Sequence, residues 1–168
     1  YKNQVDKFLH AFQDRDPDMP IAIDAEVDHG KDKTFLTALF EGTGRLLQDF
    51  GGFPYPYIYT RKTWWDLHIN AASFWKNYPL WVAHYTDAPS PWLPRDWSFW
   101  SGWQYSSKGS GSFFGAEEDF IDLNRMQTED FLKYAGQEPQ PGLLTSRIQI
   151  GLDVYTGKLV KKQNLLSL

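Results

Sequence analysis

The spacing of apolar residues along the chain keeps switching between helical and strand periods, and each switch marks an element. Val5, Phe8, Leu9 and Phe12 fall at i, i+3, i+4 and i+7, the stripe of an amphipathic helix that Asp16-Pro17-Asp18 would end. The apolar run Ile21–Asp24, inside Pro20–Glu26, reads as a buried strand. Thr34 is placed to cap a helix carrying Phe35, Leu36, Leu39 and Phe40, with Gly42 and Gly44 near its close. Gly51-Gly52-Phe53-Pro54 turns the chain into a second strand, Tyr57–Thr60, and a helical segment around Thr63–Trp75 follows. Leu80–Tyr85 is a third strand, with His84 within it, and Ala88–Pro94 is a Pro-rich loop. Ser98–Tyr105 gives strand four, Ser106–Ser112 a flexible connection, and Phe120–Leu123 strand five. Thr128 then caps a helix with Glu129 and Asp130 in its first turn and Gly136 at its end. Beyond Gln137, the segments Arg147–Val154 and Lys158–Lys162 alternate around Tyr155-Thr156-Gly157, the pattern of a β-hairpin.

Alternation of helix and strand predicts an α/β fold with mainly parallel strands, whose functional groups gather at the C-terminal strand ends. Asp24, Glu26, Tyr59, Tyr85 and Asp122 all sit at or just past such ends. Asp24 and Glu26 are one residue apart at the exit of a buried strand, so they point the same way, about 6–7 Å apart along the backbone. Like charges that close raise one carboxyl relative to its neighbour, which is how an acid and a carboxylate coexist at one site and suits attack on a glycosidic bond. The alternative for an isolated Asp-x-Glu is a strand end whose acids meet solvent or cap the next helix.

Composition narrows the classes. With 168 residues the chain has the length of one ordinary domain. Its net charge of −4 and scattered Lys and Arg, paired only at Lys161-Lys162, exclude a nucleic-acid surface. It has no Cys, hence no disulfide or thiolate metal site, and no apolar run near the ~18 residues of a membrane helix. No signal peptide opens it; the chain begins inside a predicted helix, so its true start is expected upstream. Aromatic residues make up 17%, and clusters such as Trp97–Tyr105 exceed the needs of a core, so stacking of at least one Trp on a sugar is an open expectation. Asp28, His29 and His84 lack ligand spacing, Ser and His occur without a nucleophile elbow, and Gly109–Gly115 lacks a phosphate-loop Lys. No metal or cofactor is expected.

Five segments together resemble glycoside hydrolase family 25, the Chalaropsis-type lysozymes. They are Pro20–Glu26 ending in Asp-x-Glu, Tyr59-Thr60 with Trp64 or Trp65 after it, Leu80–Tyr85, Trp103-Gln104-Tyr105-Ser106, and Phe120-Ile121-Asp122-Leu123-Asn124-Arg125. Their order and spacing agree over roughly residues 3–126. The resemblance implies an irregular, TIM-like β/α barrel that hydrolyses the β-1,4 bond between N-acetylmuramic acid and N-acetylglucosamine in peptidoglycan. It casts Glu26 as general acid, Asp24 as the carboxylate that supports it and orients the 2-acetamido group, and Asp122 as the acid of the last barrel strand. Tyr59, Trp81 and Tyr85 match aromatic positions that line or support the sugar groove, as structural residues or as substrate contacts. The chain departs from the family at its beginning: five barrel strands are predicted where a full barrel has eight. The remaining strands are expected upstream or from another chain, unless the protein is a degenerate relative.

On this reading residues 1–136 form a family 25-like catalytic domain lacking its N-terminal part, and 137–168 a linker and hairpin extension. Two acids on one strand face do not flank a sugar ring, which fits substrate assistance by the acetamido group. An inverting route through Asp122 or an upstream Asp is the other option. The partner is the glycan of peptidoglycan, with a larger phage or wall-associated assembly as a further setting, and the location is extracellular or in the cell wall. Competing classes are a non-catalytic glycan-binding module and a structural piece of a phage tail. A chitinase-like hydrolase is disfavoured, since Ala22 stands where such enzymes carry a further Asp.

Overall fold

The structure, a computed structural model, describes residues 21–51, 55–127, 148–152 and 159–164, with positions 3, 5–7, 10 and 130 besides. The expected helices at Val5–Phe12 and after Thr128, and the hairpin turn Tyr155–Gly157, lie largely outside the described residues. Strands β1 (Ala22–Ala25), β2 (Tyr57–Thr60), β3 (Leu80–Ala83) and β4 (Gly102–Ser110) pair in parallel and in chain order. Strands β5 (Phe120–Met126), β6 (Ile148–Leu152) and β7 (Leu159–Asn164) continue the same sheet antiparallel, giving the order β1-β2-β3-β4-β5-β6-β7. The sheet is therefore half parallel rather than mainly so. A parallel return needs a crossover of a dozen or more residues, and the short link between β4 and β5 holds only the turn of helix α3 (Gly111–Phe114), which Ser110 caps through Phe113 N. The hairpin joins this sheet at β5, where Leu123 faces Gly151 and Arg125 faces Gln149.

Period-two alternation divides the parallel strands between two faces. Ile23, Ala25, Ile58, Thr60, Leu80, Val82 and Trp103 face the helices and are nearly inaccessible to solvent. Against them pack Leu36, Phe40 and Leu47 of α1 (Lys33–Gly51), Trp65 of α2 (Lys62–His68), and Ile69 and Trp75. Trp65, Trp75 and Trp97 meet edge-on, with centroids 4.9 and 4.8 Å from Trp65. Burying such a ring contributes roughly 4–6 kcal/mol of transfer free energy. Trp97 and Trp103 are thus core, and the Trp97–Tyr105 cluster is mostly explained by packing.

Several boundaries move for identifiable reasons. Helix α1 is capped by Asp32, whose Oδ1 accepts from Phe35 N at 2.9 Å, and not by Thr34. It runs through Gly44 to Gly51, because Gly44 lies under a neighbour: a Cβ there would stand 2.6 Å from the Tyr78 hydroxyl. Helix α2 stops at His68, well short of Trp75. The backbone groups that a longer helix would use are taken by side chains, Ala72 N by Asp96 (3.1 Å) and Asn70 N by Thr37 (2.9 Å), and Ile69 O by Arg95. Strand β3 ends at Ala83, so His84 lies beyond it. Strand β4 begins at Gly102 and absorbs the expected flexible run, since Ser106, Gly109 and Ser110 pair with Leu123, Ile121 and Phe120.

Candidate active site

The other face of the sheet is polar and aromatic. Asp24, Tyr59, Trp81 and Gly102 are successive cross-strand partners and form one row; Ala83, Gln104 and Asn124 form the next. Asp122 lies two residues from Asn124 on β5, and so on the same face. Glu26 follows the end of β1. The six residues predicted from sequence are therefore gathered at one face and one end of the sheet, Asp24, Tyr59, Trp81 and Asp122 from strands, Glu26 and Tyr85 just past strand ends.

Three residues to which the sequence assigns no role hold the group together. Arg61 follows β2 and its Nε lies 2.9 Å from Glu26 Oε1. Gln104 Oε1 accepts from both the Tyr59 hydroxyl (2.9 Å) and the Tyr85 hydroxyl (2.8 Å). Asn124 Oδ1 accepts from Trp81 Nε1 at 2.9 Å. Gln104 and Asn124 are almost fully buried, so each is an internal brace, while Tyr59 and Trp81 pack edge-on with centroids 5.3 Å apart. A Cβ at Gly102 would stand 3.0 Å from the Trp81 ring, so glycine lets the indole lie across β4. Sequence spacing indicates the strand ends, but these partners follow only from register.

The electrostatics set the acids apart from ordinary surface carboxylates. Burial raises Asp24 above the usual range, with Arg61 opposing. Burial likewise raises Glu26; Arg61 pulls it back, and the charges of Asp24 and Asp122 push it up again. Asp122 is raised by burial. The Tyr59 hydroxyl is pushed far up, by burial first and then by the charge of Glu26, so it stays a neutral donor. The charge of Asp24 adds to the rise of Glu26, so the protonation of one carboxyl depends on the other. Beside them an open pocket of about 350 Å³ is lined by Arg61, Lys62, Thr63, Ala83, His84, Tyr85 and Trp92. Among the described residues no group of three or more His, Asp and Glu is arranged to hold a metal ion.

The family model of glycosyl hydrolases family 25 matches residues 1–112 of the 168. The chain belongs to that family. Among solved structures, a muramidase from Acremonium alcalophilum is similar at 23% identity with a TM-score of 0.56, over 71% of this chain and 57% of that one. A bacterial lysozyme from Streptomyces coelicolor is similar at 20% identity and a TM-score of 0.60, over 71% and 58%. The CTP1L endolysin covers 83% of this chain and 46% of its own, at 20% identity and a TM-score of 0.61. These likenesses show the TIM-like β/α fold of family 25, and the chain spans about half the length of the proteins it matches. No curated protein matches the sequence.

Proposed function

We propose that this family 25 chain is a glycosidase of peptidoglycan, cutting the β-1,4 bond between N-acetylmuramic acid and N-acetylglucosamine. The observation that carries this is the set of three raised carboxyls, Asp24, Glu26 and Asp122, on one partly open face beside aromatic rings. A carboxyl raised toward neutrality can hold a proton and give it to a leaving oxygen. Glu26 is the general acid: it protonates the glycosidic oxygen as the bond to the anomeric carbon breaks. Asp24 precedes it on the same strand face and does not flank the ring from the other side. Its role is to hold the N–H of the sugar's own acetamido group while the acetamido oxygen bonds to the anomeric carbon. Water then opens that intermediate, returning a proton to Glu26. Asp122, which raises Glu26 by its charge, is the third carboxyl of the face. Tyr59, Trp81 and Tyr85 form its aromatic wall.

Such an enzyme acts on the cell wall, outside the cytoplasm, secreted or delivered by a phage; no helix among the described residues is long and apolar enough to cross a membrane. Residues 1–136 carry the chemistry, and 137–168 are a linker and a hairpin extension docked through the β5–β6 pairing. Release of reducing ends from purified peptidoglycan tests the reading. The parent chain releases them and Glu26→Gln does not, while the variant still binds glycan. Turnover that survives in Glu26→Gln refutes the assignment. Glycan binding without turnover in the parent favours a binding module instead.

A further inference from the structure

Two phenol protons on the acid face are spent on one buried amide. Tyr59 belongs to β2 and Tyr85 follows β3, yet both hydroxyls donate to Gln104 Oε1, at 2.9 and 2.8 Å. Each phenol owns a single proton and an amide oxygen has two lone pairs, so the two donors fill the one oxygen. Gln104 is 4% exposed and held in place. Its backbone oxygen accepts from His84 N at 3.0 Å, and β4 pairs it with Ala83 on one side and Asn124 on the other. A stronger acceptor lies near. The charge of Glu26, and less so that of Asp122, acts on the Tyr59 hydroxyl, and a bond from O–H to a carboxylate is about twice as strong as one to a neutral oxygen. Among the described residues neither phenol bonds to either carboxyl.

We propose that Gln104 is a positioning residue that takes the protons of Tyr59 and Tyr85 and so withholds them from Glu26. The proposal rests on the glycosidase reading above, in which Glu26 must hold a proton of its own. A hydroxyl that donates to Glu26 favours the ionised carboxylate, and the acid is then held in the wrong form for protonating a leaving oxygen. The groups that face Glu26 are Asp24 from β1, Tyr59 from β2 with Arg61 just past it, and Asp122 from β5. Tyr85 joins them through Gln104. Of these, only the phenols have a proton whose direction can turn: Arg61 is a donor at every nitrogen, and the ionised acids only accept. The buried amide settles that direction. Almost shut from solvent, Gln104 acts through the two phenols and not on a substrate.

The test titrates carbon-labelled glutamate carboxyls by NMR in the parent, Gln104→Met, Tyr59→Phe and the double variant, with the Glu26 signal assigned by its loss in Glu26→Gln. Gln104→Met frees the Tyr59 proton for Glu26 and moves its titration down by about one pH unit, the scale of one hydrogen bond to a charged group. Tyr59→Phe leaves Glu26 nearly unmoved, and the double variant returns it close to the parent. An equal shift from Gln104→Met with and without the phenol would mean that Gln104 acts by packing alone, and overturns the proposal. A rise of Glu26 in Tyr59→Phe, showing that the phenol already donates to the acid, overturns it as well. Raman spectra give a second readout, because the tyrosine Fermi doublet separates a donating phenol from an accepting one. The parent minus Tyr59→Phe difference shows a donor, and Gln104→Glu, which keeps accepting oxygens, retains it; an accepting phenol in the parent refutes the assignment. Should Gln104→Met fail to fold, the Tyr59→Phe titration and the Raman difference decide alone. None of these readouts involves turnover, so their failure leaves the glycosidase reading to its own test, reducing-end release by the parent and Glu26→Gln.

Discussion

Burial pushes the Glu26 carboxyl up, the Arg61 guanidinium pulls it back, and Asp24 and Asp122 push it up again. Influences of opposite sign on one group make opposite predictions for its neighbours. Asp24→Asn removes an upward push and lowers the Glu26 pKa; Arg61→Met removes the downward pull and raises it further. Carbon chemical shifts of labelled glutamate side chains, followed against pH, read this without requiring activity. Shifts in the same direction in both variants would mean that changed burial, and not charge, governs the acid. In the active enzyme the same changes move the basic limb of the kcat/KM profile, down for Asp24→Asn and up for Arg61→Met.

Elements are held in register by single polar or missing side chains, and these can be tested by stability. Asp96, nearly buried, accepts from Trp65 Nε1 and from Ala72 N. Asp96→Ala strands two inner donors where α2 meets the Pro-rich loop, and chemical denaturation should show a loss of roughly 2–4 kcal/mol. Gly102→Ala drives a Cβ against the Trp81 ring and costs about 1–3 kcal/mol by overpacking. Combined with Trp81→Leu, the cost falls below the sum of the single changes; strict additivity would show that the clash lies elsewhere. These two sites also explain what is legible in the chain alone. Strands β1 to β3 are apolar runs between turn signals, and Asp24 and Glu26 stand out as acids at a strand end; Asp122, expected at the end of a strand Phe120–Leu123, lies within the longer antiparallel β5. Gln104, Asn124 and Arg61 carry no such signal, because their partners are 20 or more residues away for all but one bond and depend on register. Gly44 has the signature of a helix end, yet its reason is the Tyr78 ring packed on it. The end of α2 is equally hidden, being set by Arg95 and Asp96 from a loop far along the chain.

Across the whole molecule the sheet shows two faces of different purpose. The face toward the helices is closed by apolar packing, while the other carries three carboxyls whose pKa values are raised. The sign of their contribution to folding follows from linkage. Asp24 and Asp122 have folded pKa values above the unfolded value, which is about 3.9. Their stabilising contribution is thus fully present below that pH and is lost as pH rises through the folded pKa values. At neutral pH their raised pKa values work against folding, Asp122 from a half-buried position and Asp24 from a more exposed one. Asp24→Asn with Asp122→Asn should therefore melt at a higher temperature than the parent at pH 7, and the difference should close by about pH 3, where the parent's acids are protonated in both states. Thermal melts at the two pH values decide it: an equal gain at both would trace the effect to packing, and no gain at pH 7 would mean that the charges are adequately solvated. A gain at neutral pH accompanied by lost hydrolysis would show acids kept for chemistry at the expense of stability.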